Sequence, residues 1–115
     1  MNDEGIDARL WRIEAAFKKL EMIKTMGKET FLTRPFVTDA AERNLHVVIE
    51  GIIDLANSLA GKEGNRSPES YADIFSVLHE TNLLPKKLTN EGEEMARFRN
   101  LLVHGYANVD KKPYL

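Results

Sequence analysis

The stretch Arg97-Phe98-Arg99-Asn100-Leu101-Leu102-Val103-His104-Gly105-Tyr106 gathers the residue types able to do acid–base chemistry on an anion. A guanidinium suits phosphate, because its planar donors fork onto two oxygens and never deprotonate. An imidazole is the side chain whose ordinary pKa lets it give or take protons near neutrality. A phosphodiester attacked by its own 2′-hydroxyl needs both, one to stabilise charge at phosphorus and one to shuttle the proton. That reaction requires no metal. A plainer reading stands beside it: His104-Gly105 also fits a helix C-terminus, with a cation in the last turn and glycine just beyond. Tyr106 also fits a buried aromatic with its hydroxyl at an edge.

Composition narrows what such a motif can belong to. At 115 residues the chain suits one domain, and 43% hydrophobic with 30% charged residues is a globular balance. There is no Cys, so disulfides, thiolate nucleophiles and Cys-based zinc sites are excluded. His46, His79 and His104 are the only histidines, which argues against a multi-His metal centre in one chain. No metal or organic cofactor is expected. A net charge of −2 gives no global attraction to nucleic acid. Such a partner must be held by a local patch, drawn from Lys86, Lys87, Arg97, Arg99, Lys111 and Lys112, and released by salt. The acidic start lacks the apolar core of a targeting segment. Leu45 to Ala60 is broken by His46, Glu50, Asp54, Asn57 and Ser58, short of the roughly 20 apolar residues of a bilayer span. A cytoplasmic location with no membrane partner is expected.

The elements that must carry the motif are helical. Leu10, Ile13, Phe17, Leu20, Ile23 and Met26 recur at spacings of three and four, predicting a helix that stops at Gly27. Lys28 to Val37 reads as a connector with one short helical turn before Pro35. A second long helix is predicted from Thr38 to about Gly61, with Ala41, Leu45, Val48, Ile52, Leu55 and Leu59 as a near-heptad stripe. Ser67-Pro68-Glu69 reads as the start of a third, with Tyr71, Ile74, Phe75 and Leu78 buried and Leu83-Leu84-Pro85 closing it. The last begins near Thr89, carries Met95, Phe98 and Leu102, and ends at Gly105. Four helices with short connections predict an all-α, antiparallel, up-and-down four-helix bundle. Trp11 is expected in core or dimer packing. His46 and Glu50, one turn apart, read as a helix-surface pair. Glu50 and Asp54 together read as a solvated ladder, or as the edge of a cleft. His79-Glu80 reads as surface.

The run Arg99 to Tyr106 fits the R-x4-H-x-Y pattern of HEPN-domain ribonucleases, and the chain most resembles the HepT toxins among them. Asp39-Ala40-Ala41-Glu42-Arg43-Asn44-Leu45, continuing to Val48-Ile49-Glu50, is similar to that family's second helix. The resemblance spans residues 1–115 as a single HEPN-like domain, with the family's following helix missing or shortened, since nine residues follow Tyr106. It implies a homodimer whose paired motifs line one cleft, where RNA is cut without metal. Carried over by position, Arg99 and His104 are the catalytic pair and Asn100 supports them. Tyr106 is the phenol onto which an MntA-like nucleotidyltransferase antitoxin transfers adenylate, in a complex that can be larger than a dimer. Arg97 becomes a backbone contact for RNA, with Lys111 and Lys112 as further basic groups. A rival reading from another class is a non-catalytic helical module that docks on a nucleotidyltransferase and presents nucleotide to it.

One geometric test needs no resemblance. At about 100° per residue, Arg99 and His104 stand about 140° apart around a straight helix. Either the helix unwinds at Gly105, or a twofold partner completes the site.

Overall fold

The computed structural model describes the backbone of residues 3–111 and the side chains of residues 5–103. Five helices follow in order: α1 (Asp3–Met26), α2 (Lys28–Thr33), α3 (Pro35–Glu63), α4 (Tyr71–Glu80) and α5 (Lys86–Lys111). No strand occurs among the described residues. All four predicted helices are present, and the short turn expected before Pro35 is α2. No helix among the described residues is long and apolar enough to cross a membrane. The chain divides into two compact units, Met1–Leu55 and Ala56–Leu115.

In the first unit, α1 stops where expected because Gly27 takes φ 90°, a left-handed backbone that glycine adopts without a Cβ clash. The Thr38 hydroxyl donates to the Phe31 carbonyl at 2.7 Å, tying α2 to the start of α3. α3 begins at Pro35, three residues before the predicted Thr38. Proline is at home in a first turn, where its missing N–H is not needed. The Arg34 carbonyl accepts from Val37 and Thr38 instead. α1 and α3 meet at Gly51, where an added Cβ would lie 2.5 Å from Ile13 Cγ1. Ala16, Ile49 and Ile53 are buried, but much of the α1 stripe is not. Leu10, Phe17 and Met26 remain exposed, and Trp11 is 71% exposed. These are surface apolar groups in the single chain, not core.

In the second unit, the cap of α4 is Ser70 and not Ser67. Ser70 Oγ accepts from the Asp73 N–H at 3.0 Å while Asp73 Oδ2 accepts from the Glu69 N–H at 2.9 Å. Together these bonds satisfy the Asp73 N–H inside the first turn and the Glu69 N–H just ahead of the cap. Arg66 then binds the outside of the same turn: its guanidinium is bidentate on Asp73 (2.6 and 2.8 Å) and also reaches Glu80 (2.9 and 2.7 Å). The far end of α4 closes with Asn82 at φ 65°. The Leu83 N–H donates to Leu78 O and the Asn82 N–H to His79 O, both at 3.0 Å, a Schellman pair with asparagine in the position glycine usually takes. His79 is not the loose surface residue the sequence suggested: its Nδ1 lies 2.9 Å from Leu84 O and holds the connection to α5.

α4 and α5 pack where Gly92 is buried against the Phe75 ring, with Ile74, Val77, Leu78 and Ala96 filling the surrounding core. α5 begins three residues before the predicted Thr89, immediately after Pro85. Thr89 is buried and its hydroxyl donates to Pro85 O at 3.0 Å. The helix does not end at Gly105 but runs on to Lys111. A glycine inside a helix costs only about 1 kcal/mol relative to alanine, so an established helix can continue through it.

Two outcomes follow from this packing. Gly92→Ala should gain about 1 kcal/mol of helix propensity but lose about 1–3 kcal/mol through overlap with Phe75, for a net loss of stability. Urea denaturation checks this, and Phe75→Leu should cost less beside Gly92→Ala than alone, because the two share one contact. Hydrogen bonding, first from Arg66 and then from the Glu69 N–H, holds the Asp73 carboxyl down to about 2 from its ordinary 3.8. A depressed folded pKa means the stabilisation is complete above about pH 4 and is lost as pH falls toward 2. Helicity followed by circular dichroism should therefore fall more steeply across that window in the native chain than in Arg66→Ala.

Candidate functional site

α5 carries every residue of the motif on one continuous helix. Arg99 is half-buried, and its guanidinium carbon sits 4.6 Å from the centroid of the Tyr71 ring at the start of α4. Its Nη1 also donates to Asn100 Oδ1 at 3.4 Å, a long contact that adds little strength. A cation over an aromatic face is attracted by the ring quadrupole and loses freedom to swing away. Tyr71 therefore serves as a platform. The sequence assigned it to the buried stripe of its helix, yet it is 42% exposed. No spacing rule connects it to Arg99, since the contact depends on how α4 and α5 cross.

Asn100 and Tyr71 line a cavity of about 380 Å³, together with Asn57, Ser70 and Ile74. The α4 N-terminal turn thus forms part of the wall next to Asn100, and its backbone is fixed by Ser70, Asp73 and Arg66. Arg97 is exposed one turn earlier on α5. Phe98 (43% exposed) and Leu101 (69% exposed) bring apolar surface beside the cationic groups. Arg99 and Asn100 are thus in contact, and Arg97 is not among the residues that line the cavity.

The side chains of His104, Tyr106 and Lys111 lie outside the described residues, as does the whole of Lys112. The helix that carries the first three is described, and it is unbroken across Gly105. Of the two ways to join Arg99 and His104, local unwinding at the glycine is the one this backbone does not use. Their Cα positions stay about 140° apart around the axis, with an axial rise of about 7.5 Å between them. In the other unit, His46 Nε2 and Glu50 Oε1 are 3.3 Å apart, the one-turn pair expected from sequence.

Residues 13–113 match a family described as HepT-like, the ribonuclease HepT-like proteins. The mRNA nuclease HepT of Shewanella oneidensis is 27% identical over 110 residues, covering 96% of this chain and 81% of that protein. The putative RNase YutE of Bacillus subtilis is 31% identical over 71 residues, 62% of this chain and 49% of the relative. Among solved structures, a tri-AMPylated Shewanella oneidensis HEPN toxin in complex with MNT antitoxin superposes with a TM-score of 0.78 at 28% identity, covering 92% of this chain and 78% of that one. A toxin–antitoxin structure with AMP-PNP gives a TM-score of 0.79 at 29% identity, with 96% and 82% covered. The helical fold of this chain is thus shared with both of these solved structures. With a match that extends from α1 through the whole Arg99–Tyr106 motif, the chain belongs to the HepT-like ribonuclease family.

Proposed function

We propose that this chain is a metal-independent endoribonuclease, the toxin half of a toxin–antitoxin pair, working as a homodimer with a composite active site. In each site Arg99 of one protomer faces His104 of the partner subunit across a cleft. His104 takes the proton from the ribose 2′-hydroxyl, or returns one to the departing 5′-oxygen. Arg99 stabilises the charge that builds on the equatorial phosphate oxygens. Asn100 supports Arg99, and Tyr71 holds the guanidinium from behind. Arg97, Lys111 and Lys112 contact the RNA backbone. The single observation that carries this reading is the family match across the motif, on a helix that runs unbroken past Gly105.

Other features support it. Phe98 and Leu101 expose apolar surface beside Arg97 and Arg99, the mixture expected at a twofold seam. The nucleophile is internal to RNA, so the protein supplies only proton transfer and charge. Silencing is assigned to Tyr106: an MntA-like nucleotidyltransferase bound to the toxin directs its phenolic oxygen onto the α-phosphorus of ATP, with pyrophosphate leaving. The AMPylated state of the Shewanella toxin bound to its MNT antitoxin supports this assignment. The new group adds a phosphate charge two residues from His104, where it repels incoming RNA.

Arg99→Ala and His104→Ala should each lower RNA cleavage by about 10²–10³-fold while leaving helicity intact. Mixing the two inactive chains should restore roughly a quarter of native activity, because half the dimers then hold one intact composite site. Cleavage of a labelled RNA by purified mixed dimers measures it, and no recovery means that each site draws on a single protomer. Tyr106→Phe should keep cleavage but escape silencing. Intact-mass spectrometry after incubation with antitoxin and ATP should find no added adenylyl group, and growth arrest should persist with the antitoxin present.

A further inference from the structure

The first unit holds a cavity that the motif on α5 does not use. Where α1 and α3 approach at Ile13 and Gly51, Arg9 and Arg12 from α1 and Arg43, His46, Glu50 and Asp54 from α3 line a space of about 300 Å³. That volume lies at the lower end of small-ligand pockets. The four α3 residues recur at spacings of three and four, so they form one stripe, cationic at the Arg43 end and anionic at the Asp54 end. Glu50 is engaged by His46 at 3.3 Å. The side chains of Arg12, Arg43 and Asp54 make no hydrogen bond or ion pair among the described residues. In a chain of net charge −2, three arginines at one cavity mark a local positive site.

The pairing of charges defines the ligand. A bare anion gains nothing from Glu50 and Asp54, and a simple cation is repelled by three guanidiniums. A ribonucleotide meets both ends: its phosphate takes forked donors from arginine, and its ribose hydroxyls donate to a carboxylate. We propose that this cavity is a ribonucleotide subsite, holding one nucleotide of the RNA substrate away from the scissile bond, with the phosphate on Arg12 and Arg43 and the 2′-hydroxyl on Asp54. The inference rests on RNA being the substrate, as argued above. It gives the protein a reason to prefer RNA over DNA that is separate from the need for an internal nucleophile.

The test uses the full-length Arg99→Ala chain, so that RNA survives, titrated calorimetrically with adenosine 5′-monophosphate, its 2′-deoxy analogue, inorganic phosphate and a ten-nucleotide single-stranded RNA. The ribonucleotide should bind saturably and more tightly than the deoxy form or phosphate. Arg43→Ala should weaken it about tenfold or more, with Arg43→Lys in between. Asp54→Asn should erase the preference for the ribo form while the phosphate contact remains. The RNA should displace the mononucleotide. Equal affinity in Arg43→Ala, equal affinity for the deoxy form, or a mononucleotide that RNA cannot displace each overturns the proposal. The last of these would mark a site for a free nucleotide. Failure of the active-site reading is distinct: it appears as undiminished cleavage by the Arg99→Ala chain, whatever the titrations give.

Discussion

An α-helix turns by about 100° at each residue, and α5 obeys that pitch without a break from Lys86 to Lys111. Everything concerning the motif follows from this regularity. Residues five apart cannot share a face of a straight helix, so a guanidinium and an imidazole at that spacing serve two surfaces of one rod. In the dimer proposed above, a second rod related by a twofold axis would turn the defect into a design, each copy contributing a different group to each of two sites. The same regularity explains why Arg99 requires a support from another element. On its own helix Arg99 makes a long 3.4 Å contact to Asn100, and the Tyr71 ring on α4 supplies a support from a second element.

Much of this could be read directly from the chain. The apolar spacings predict the helices, Gly27 marks the end of α1, and the Arg99–Tyr106 run carries the family pattern. Errors in the prediction cluster where two local signals compete. Ser67-Pro68-Glu69 has the composition of a helix start, but Ser70 prevails because Asp73, three residues on, donates its N–H to the serine and accepts from the Glu69 N–H ahead of it. Gly105 resembles a stop, yet one glycine is a small penalty against a helix already formed. The roles of Arg66, Tyr71 and His79 escape a reading of the sequence for a different reason. Their partners lie in another element or across a loop, at separations no periodicity encodes. The cavity between Arg12 and Asp54 belongs to the same class: Glu50 and Asp54 read as a charged ladder, and the close approach at Gly51 is what joins them to the arginines of both helices.

Glycine is what lets each unit bring helices close enough to matter. In the first unit Gly51 admits Ile13, and in the second Gly92 admits the Phe75 ring. Gly51 lies far from the motif along the chain and Gly92 stands seven residues before Arg99 on the same helix; one shapes a charged cavity and the other sets the crossing that brings Tyr71 beneath Arg99. The chemistry-bearing side chains are thus positioned by residues with no side chain at all.

The exposed indole on α1 has a practical consequence. Trp11 is the sole tryptophan and lies next in sequence to Arg12. At 71% exposure it faces water in the isolated chain. The protein thus carries its own fluorophore on the helix that supplies two of the cavity's arginines. Its emission belongs to a single environment, and changes of colour or quenching report directly on whatever covers that surface.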